Sequence, residues 1–376
     1  MSKEKIYNKV GIQFAQFNTL FQLLSETKRK LNLLNVADKM LLMPDFLNFM
    51  LSGKKNAEFS IASTTSLADP VTRNWSWELI DTFSLPRRIF PEMVEPGTKL
   101  GVLLPSIAEK TGLNKSIPVF ASAGHDTASA VASVPTSGDD WAFLSSGTWS
   151  LMGVVINHPI LSTESMKYNF TNEGGVEGTT RFLKNIIGLW PIQECRRYWQ
   201  ENSSDYSYQQ LTNLAKTEGF AKAWVDLNNQ RFLKPGEMPE KIVSFLKETN
   251  QASKGNVGFI IQVVLESLAF AYKKVLKEIE ETTGKKIEKL NAVGGGIQNE
   301  YLMQLTADAI NRDVIAGPIE GTIVGNIGVQ AIASGDVQNL KEWRSIVANS
   351  FQPKIFKPVN AKYFNENEKN FEMILK

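Results

Sequence analysis

The sequence predicts an α/β fold with a parallel component, and three patterns carry that reading. Near the end, the strand-like run Lys289–Val293 leads into Gly294-Gly295-Gly296, a helix Glu300–Asn311 and a second strand, Val314–Ala316. Helices and strands alternating in this way build parallel sheets. Earlier, the apolar run Pro118–Ala123 passes through Gly124-His125-Asp126-Thr127 into the small-residue helix Ala128–Val134. Between them, Val257–Glu281 is the strongest helix, with Ile260, Ile261, Val264, Leu268, Tyr272 and Val275 on one face.

The remaining elements follow in chain order. Apolar residues at helical spacing predict helices over Thr19–Lys30, Val36–Leu51 and Trp75–Phe83. Gly53, Pro70, Pro86, Pro91, Pro96 and Gly97 punctuate them. Pro135–Asp140, rich in Pro, Thr, Ser, Gly and Asp, is the best candidate boundary, dividing the chain into domains 1–134 and 135–376. Beyond it, Trp141–Leu144 and Trp149–Ile156 read as strands joined by Ser145-Ser146-Gly147-Thr148. Leu183–Trp199 reads as a mixed helical region, with shorter helices at Ser207–Thr217 and Glu240–Thr249. The aromatics Phe14, Phe17, Phe21, Trp190 and Trp199 read as core rather than a stacking platform.

Composition narrows the function. A chain of 376 residues suits two domains and needs no staple. The 41 Lys and Arg against 39 Asp and Glu give +2, which argues against nucleic acid or an acidic membrane as partner. One cysteine, Cys195, excludes an internal disulfide framework, and with only His125 and His158 a Cys/His zinc cage is implausible. Cys195 reads as a passive small side chain and His158, beside Pro159, as a loop residue. The expected compartment is the reducing cytoplasm. Met1–Phe14 has no signal-type apolar core, and Val257–Tyr272 is broken by Gln262 and Glu266, so no membrane span is expected.

Four constellations could carry chemistry. Gly124-His125-Asp126-Thr127 sits where a strand becomes a helix, the place where open α/β sheets bind ligands. There Asp126 is a candidate general base for a substrate hydroxyl, and Asp126 or Thr127 equally a candidate helix cap. Ser145–Ser150 is a hydroxyl- and glycine-rich turn, able to converge N–H and OH groups on an anion or to serve as a plain hairpin. Gly294–Gly296 lets a ligand approach backbone at a helix start, yet matches neither the Walker loop nor the dinucleotide fingerprint. Asn172-Glu173-Gly174-Gly175 with Arg181, Lys184 and Asn185 reads as a polar, solvated loop leading into a helix, with a sugar or nucleotide contact as its other reading.

Together these segments resemble the FGGY carbohydrate kinases, of the superfamily of sugar kinases, actin and heat-shock ATPases. Within that family the similarity is to the branch acting on L-rhamnulose. It runs from Ile6 to about Gly335 through "GIQFAQFNTLFQL", "LLMPDFLNFMLSGK", "GHDTASAV", "FLSSGTWSLMG", "NFTNEGGVEGTTRFLKNIIGLWPIQ", "NNQRFLKPGEMP", "VGGGIQN" and "GPIEGTIVGNIGVQ". The resemblance implies an actin/sugar-kinase-like two-lobed fold. It also implies transfer of the γ-phosphoryl group of ATP to the 1-hydroxyl of L-rhamnulose, giving L-rhamnulose 1-phosphate and ADP. Asp126 would be the base. His125, Asp126, Thr127 and Asn185 would bind the sugar, and Thr148, Gln193 and Gly295 the ATP. ATP with Mg is the implied cofactor set, although the sequence shows no dedicated ligand cluster.

The family opens with a strand–turn–strand bearing Asp-x-Gly, and this chain contains no Asp-x-Gly. The first lobe is therefore expected to lack its central sheet, roughly a hundred residues, a domain-sized piece. Exposed apolar faces, self-association or a separate N-terminal fragment as partner, and impaired transfer by the isolated chain are expected in consequence. The alternatives are a remnant that only binds nucleotide or sugar, and a kinase of another ketose or deoxy sugar.

Overall fold

A computed structural model describes residues 1–29 and 33–375 of the chain. Contacts sort the chain into two units. The first comprises Met1–Ser137, Val154–Lys184 and Gly321–Ser350, and the second Gly138–Gly153, Asn185–Glu320 and Phe351–Lys376.

The second unit is built on strands Lys354–Phe356, Asp313–Ala316, Lys289–Val293 and Trp141–Ser146 and the first part, to Gly153, of Trp149–Ile156, hydrogen-bonded in that order. Lys289–Val293 is parallel to both neighbours, with Lys289 opposite Asp313 on one side and Trp141 on the other. The outer pairings are antiparallel. A mixed sheet with a parallel centre is thus observed, as the alternation predicts. Leu290, Ala292 and Val293 are wholly buried, as a strand covered on both faces requires. Helix Val257–Thr283 ends at Gly284 in the left-handed conformation, two residues beyond the predicted Glu281. At its start, a side chain on Gly258 would meet the Leu214 carbonyl oxygen at 2.7 Å, so glycine lets helix Tyr208–Glu218 lie against it. On the same long helix the buried Glu266 accepts from Ala221 N (2.6 Å), Gln262 Nε2 (2.8 Å), Trp224 Nε1 (3.1 Å) and Tyr363 OH (2.6 Å). That set satisfies a carboxylate which burial alone would penalise.

In the first unit, Val10, Ile12, Leu20, Leu67, Leu79 and Ile89 belong to one apolar cluster. Helix Asp126–Ala132 packs on helix Gly321–Ser334, where Gly325 permits contact: a Cβ there would lie 1.7 Å from the Ser129 carbonyl oxygen. Helix Met43–Ser52 turns Met43, Phe46, Leu47, Met50 and Leu51 outward, so exposed apolar surface is present in this unit.

Several elements differ from expectation. The helix expected over Val36–Leu51 is confined to Met43–Ser52, because Pro44 in its first turn lacks the amide that an earlier turn would need. The Trp75–Phe83 helix is Trp77–Thr82, Trp75 being in a two-residue strand. The Thr19–Lys30 helix is observed as Thr19–Thr27, and Lys30 lies outside the described residues. Leu183–Trp199 opens as strand, not helix: Thr180–Ile187 pairs with Thr171–Gly174, and the helix begins only at Trp190, with Pro191 in its first turn. The expected solvated loop around Glu173 is therefore a buried hairpin. Phe17 is two-thirds exposed rather than core, since it falls in the turn preceding helix Thr19–Thr27.

Candidate active site

In the first unit, strand Pro118–Ala121 ends and helix Asp126–Ala132 begins after a short connection, residues 122–125. The helix cap is His125, whose Nδ1 accepts from Thr127 N at 3.2 Å, rather than Asp126 or Thr127. Asp126 occupies the first helical position, and its Oδ1 also accepts from Thr127 N, at 2.6 Å. Its carboxylate favours that end of the helix, where unpaired amides present positive charge. His125 and Asp126 diverge in exposure, 18% against 80% for the side chains. An acid open to a ligand is thus mounted on a backbone anchored in packed protein. Burial and the Arg181 charge depress the His125 pKa, keeping the ring neutral near pH 7, against the opposing pull of Glu173 and Asp126.

Beneath this turn lie charges that sequence reading left in solvent. Arg181 Nη1 and Glu173 Oε2 are 3.1 Å apart and almost wholly buried, and Arg181 Nε donates to the Gly174 carbonyl at 2.9 Å. Both Arg181 terminal nitrogens lack a hydrogen-bond partner among the described residues. Glu58 is fully buried and burial pushes its pKa up to about 7. Its Oε2 accepts from Gly124 N at 2.8 Å. Glu58 was absent from the sequence candidates. Its one local signal is its place directly before the short helix Phe59–Ala62, which it caps.

The second unit brings the remaining candidates together in two groups. The turn Gly147–Thr148 is closed by Gly147 N donating to Trp149 O (2.9 Å). Leu189 N donates to Gly147 O (2.9 Å) and Gly188 N to Thr148 O (3.1 Å), which seats the start of the Trp190 helix on the turn. Thr148 Oγ1 donates to Gln193 Oε1 at 3.1 Å. The triple glycine lies on the same strand end: side chains on Gly294 or Gly296 would meet Ser146 O at 2.8 Å or Ser146 Oγ at 2.2 Å. Nothing approaches the Gly295 position within 4 Å. Gly295 is therefore open, beside a hydroxyl- and amide-rich turn, which is a fitting approach for phosphate oxygens. Asn185, half-buried on strand Thr180–Ile187, belongs to this unit by its contacts, whereas His125, Asp126 and Thr127 belong to the first. Cys195 is buried and free, and burial raises its pKa well above the ordinary thiol value, so it is no nucleophile. No helix of the described residues is long and apolar enough to cross a membrane.

Residues 1–133 match the FGGY family of carbohydrate kinases, N-terminal domain, and residues 142–334 its C-terminal domain. The chain is 42% identical over 359 residues to a rhamnulokinase of Bacillus subtilis (strain 168), covering 95% of this chain and 72% of that protein. It is 40% identical over 358 residues to a rhamnulokinase of Bacteroides thetaiotaomicron, covering 95% and 73%. Among solved structures, xylulose kinase from Rhodospirillum rubrum aligns over 100% of this chain and 75% of its own, with TM-score 0.78 at 16% identity. Plasmodium falciparum glycerol kinase with ADP aligns over 100% and 75%, with TM-score 0.77 at 14% identity. These two likenesses establish the sugar-kinase fold. With both family domains matched in order along most of its length, the chain belongs to the FGGY family of carbohydrate kinases, enzymes that transfer a phosphoryl group from ATP to a sugar.

Proposed function

We propose that the chain phosphorylates the 1-hydroxyl of L-rhamnulose, with Asp126 as general base. The observation that carries the chemistry is an exposed carboxylate at the first turn of a helix whose other residues are buried. The rhamnulokinases of about 40% identity support the choice of sugar. In the step, Asp126 takes the proton from the sugar hydroxyl as its oxygen bonds to the γ-phosphorus. The bond from that phosphorus to the β–γ bridging oxygen breaks, and ADP leaves with its electron pair. Such transfer rests on positioning and charge stabilisation more than on covalent chemistry. His125, Thr127 and Asn185 would orient the sugar by hydrogen bonds. Thr148 and the amides of its turn would hold the phosphates, with Gln193 and Gly295 lining the nucleotide side.

A divalent ion, when bound with ATP, offsets phosphate charge. Mg ordinarily keeps several waters and takes one or two carboxylates plus phosphate oxygens. Among the described residues no three His, Cys, Asp or Glu side chains gather as a metal cage. An ion carried in on the nucleotide needs no such cage from the protein.

The test is ADP release by the full chain with L-rhamnulose, L-fuculose, D-xylulose and D-ribulose, with the product phosphate placed by phosphorus NMR. L-Rhamnulose should be the best substrate and the 1-phosphate its product. Asp126→Ala should lower transfer by at least about a hundredfold, at the lower bound for a general base, while ATP still binds. Preference for another ketose would overturn the sugar assignment, and unchanged transfer in Asp126→Ala the base. Ligand binding without transfer would favour the binding-only alternative.

A further inference from the structure

Glu58 ends the strand Asn56–Glu58 and caps the helix Phe59–Ala62. Its carboxylate accepts four hydrogen bonds: Ser60 N (2.5 Å), Ser60 Oγ (2.6 Å), Ile61 N (3.4 Å) and Gly124 N (2.8 Å). None comes from a cation. Capping a four-residue helix does not require an ionisable group at zero exposure, since a serine or asparagine does so at far smaller desolvation cost. What distinguishes Glu58 is where its reach ends. Gly124 N is bound directly, and His125 N donates to Ser60 Oγ at 3.3 Å, itself held by Glu58. The two amides preceding Asp126 are thus tied to one buried carboxylate.

The surrounding packing narrows the freedom further. A side chain on Gly124 would meet Glu58 Oε2 at 3.1 Å and Pro44 Cβ at 3.0 Å, so the turn lies directly against both. Asp45 Oδ1 accepts from Glu58 N at 3.0 Å, which fixes the residue's own backbone to helix Met43–Ser52. On the far side, Thr322 Oγ1 donates to the Asp126 carbonyl at 3.3 Å. The Asp126 backbone is held from both sides, while its carboxylate, bonded only to Thr127 among the described residues, stays exposed.

We propose that Glu58 is a positioning residue for phosphoryl transfer: its buried carboxylate locks the Gly124–His125 backbone and thereby aims the Asp126 carboxylate at the sugar hydroxyl. This rests on the reading of Asp126 as base. Glu58 does not touch the reacting atoms. Its effect belongs to geometry, where a misplacement of about 1 Å costs roughly a hundredfold in rate.

The experiment compares the full chain with Glu58→Ala, Glu58→Gln, Ser60→Ala and Asp126→Asn, by amide hydrogen exchange and by kinetics with L-rhamnulose. Glu58→Ala should raise exchange at Gly124 and His125 about tenfold or more and leave strand Lys289–Val293 unchanged, the signature of local release. Its kcat should fall about ten- to a hundredfold with KM for ATP nearly constant. Glu58→Gln, which keeps an acceptor for Gly124 N, should restore most of both losses. Unchanged protection of both amides in Glu58→Ala would overturn the proposal, as would lost protection with unchanged kcat. If Glu58→Ala fails to fold, Ser60→Ala, which removes the hydroxyl joining His125 N to Glu58 and leaves the Gly124 bond in place, should raise exchange at His125, and no change there would overturn it equally. If wild-type transfer is too slow to follow, L-rhamnulose should protect Asp126 and Thr127 amides in the wild type but not in Glu58→Ala, and equal protection would sink the idea. Full activity in Asp126→Asn would instead remove the base assignment and leave the exchange result to judge the turn by itself.

Discussion

Gly124 shows how one missing side chain serves two neighbours, since the Glu58 carboxylate and Pro44 both occupy the space a Cβ would need. Glu58 and Asp45 share a further property. Burial pushes each pKa up to about 7, from ordinary values of 4.5 and 3.8, and the proximity of Glu58 adds to the effect on Asp45. A carboxyl whose pKa is higher folded than unfolded binds its proton more tightly in the native state. The stability it contributes is fully present below about pH 4 and is lost as pH rises through about 7. From these two groups, thermal stability should therefore decline between about pH 4 and pH 7. The double variant Asp45→Asn, Glu58→Gln should flatten that slope in calorimetric melts across the window. An identical slope in wild type and variant would show that the groups ionise alike in both states.

At the scale of elements, the helix carrying Asp126 is seven residues long and too short to persist alone. It stands because helix Gly321–Ser334 packs against it, with Gly325 over the Ser129 carbonyl. Gly325→Ala would place a methyl 1.7 Å from that oxygen, so the helices must separate. The gain in helix propensity, roughly 1 kcal/mol, should be outweighed, and the net destabilisation should reach about 1–3 kcal/mol. Denaturant unfolding measures it, and a variant as stable as wild type would mean the crossing is looser than described. The same scale shows what was legible beforehand. Helix Val257–Thr283 was readable because its apolar residues recur at helical spacing over many turns. The Thr171–Gly174 and Thr180–Ile187 hairpin was not, because Asn172, Glu173, Arg181 and Lys184 look solvated until Glu173 and Arg181 neutralise each other inside.

For the whole molecule, candidate base and candidate phosphate turn reside in different units. Their ligands should be separable by mutation. Asp126→Asn should leave ATP affinity within about twofold, because Thr148, Gln193 and the triple glycine are untouched, and twofold is below 1 kcal/mol. Gly294→Ala acts oppositely. Gly294 has φ 90° and ψ 171°, a conformation essentially reserved for glycine, at a cost of about 1–3 kcal/mol for other residues. Its new methyl would also press on Ser146 O. ATP affinity should fall about tenfold while sugar-induced exchange protection at Asp126 persists. Calorimetric titration reads the first and amide exchange the second. Loss of both responses in either variant would contradict the separation.

The family and its local motifs were legible in the chain: the Gly124–Thr127 motif, the Ser145–Ser150 turn, the triple glycine and the helix–strand alternation. Each is readable because it depends on residues adjacent in the chain or repeating with a backbone period. Folding alone brings Ser146 against the triple glycine, pairs Arg181 with Glu173 in the interior, and ties the amides before Asp126 to Glu58. The Glu58–Gly124 bond spans 66 residues. No local periodicity encodes such a contact, and an ionisable residue is assigned to solvent by default. The closure of the chain supplies the donors that let the Glu58 carboxylate remain inside.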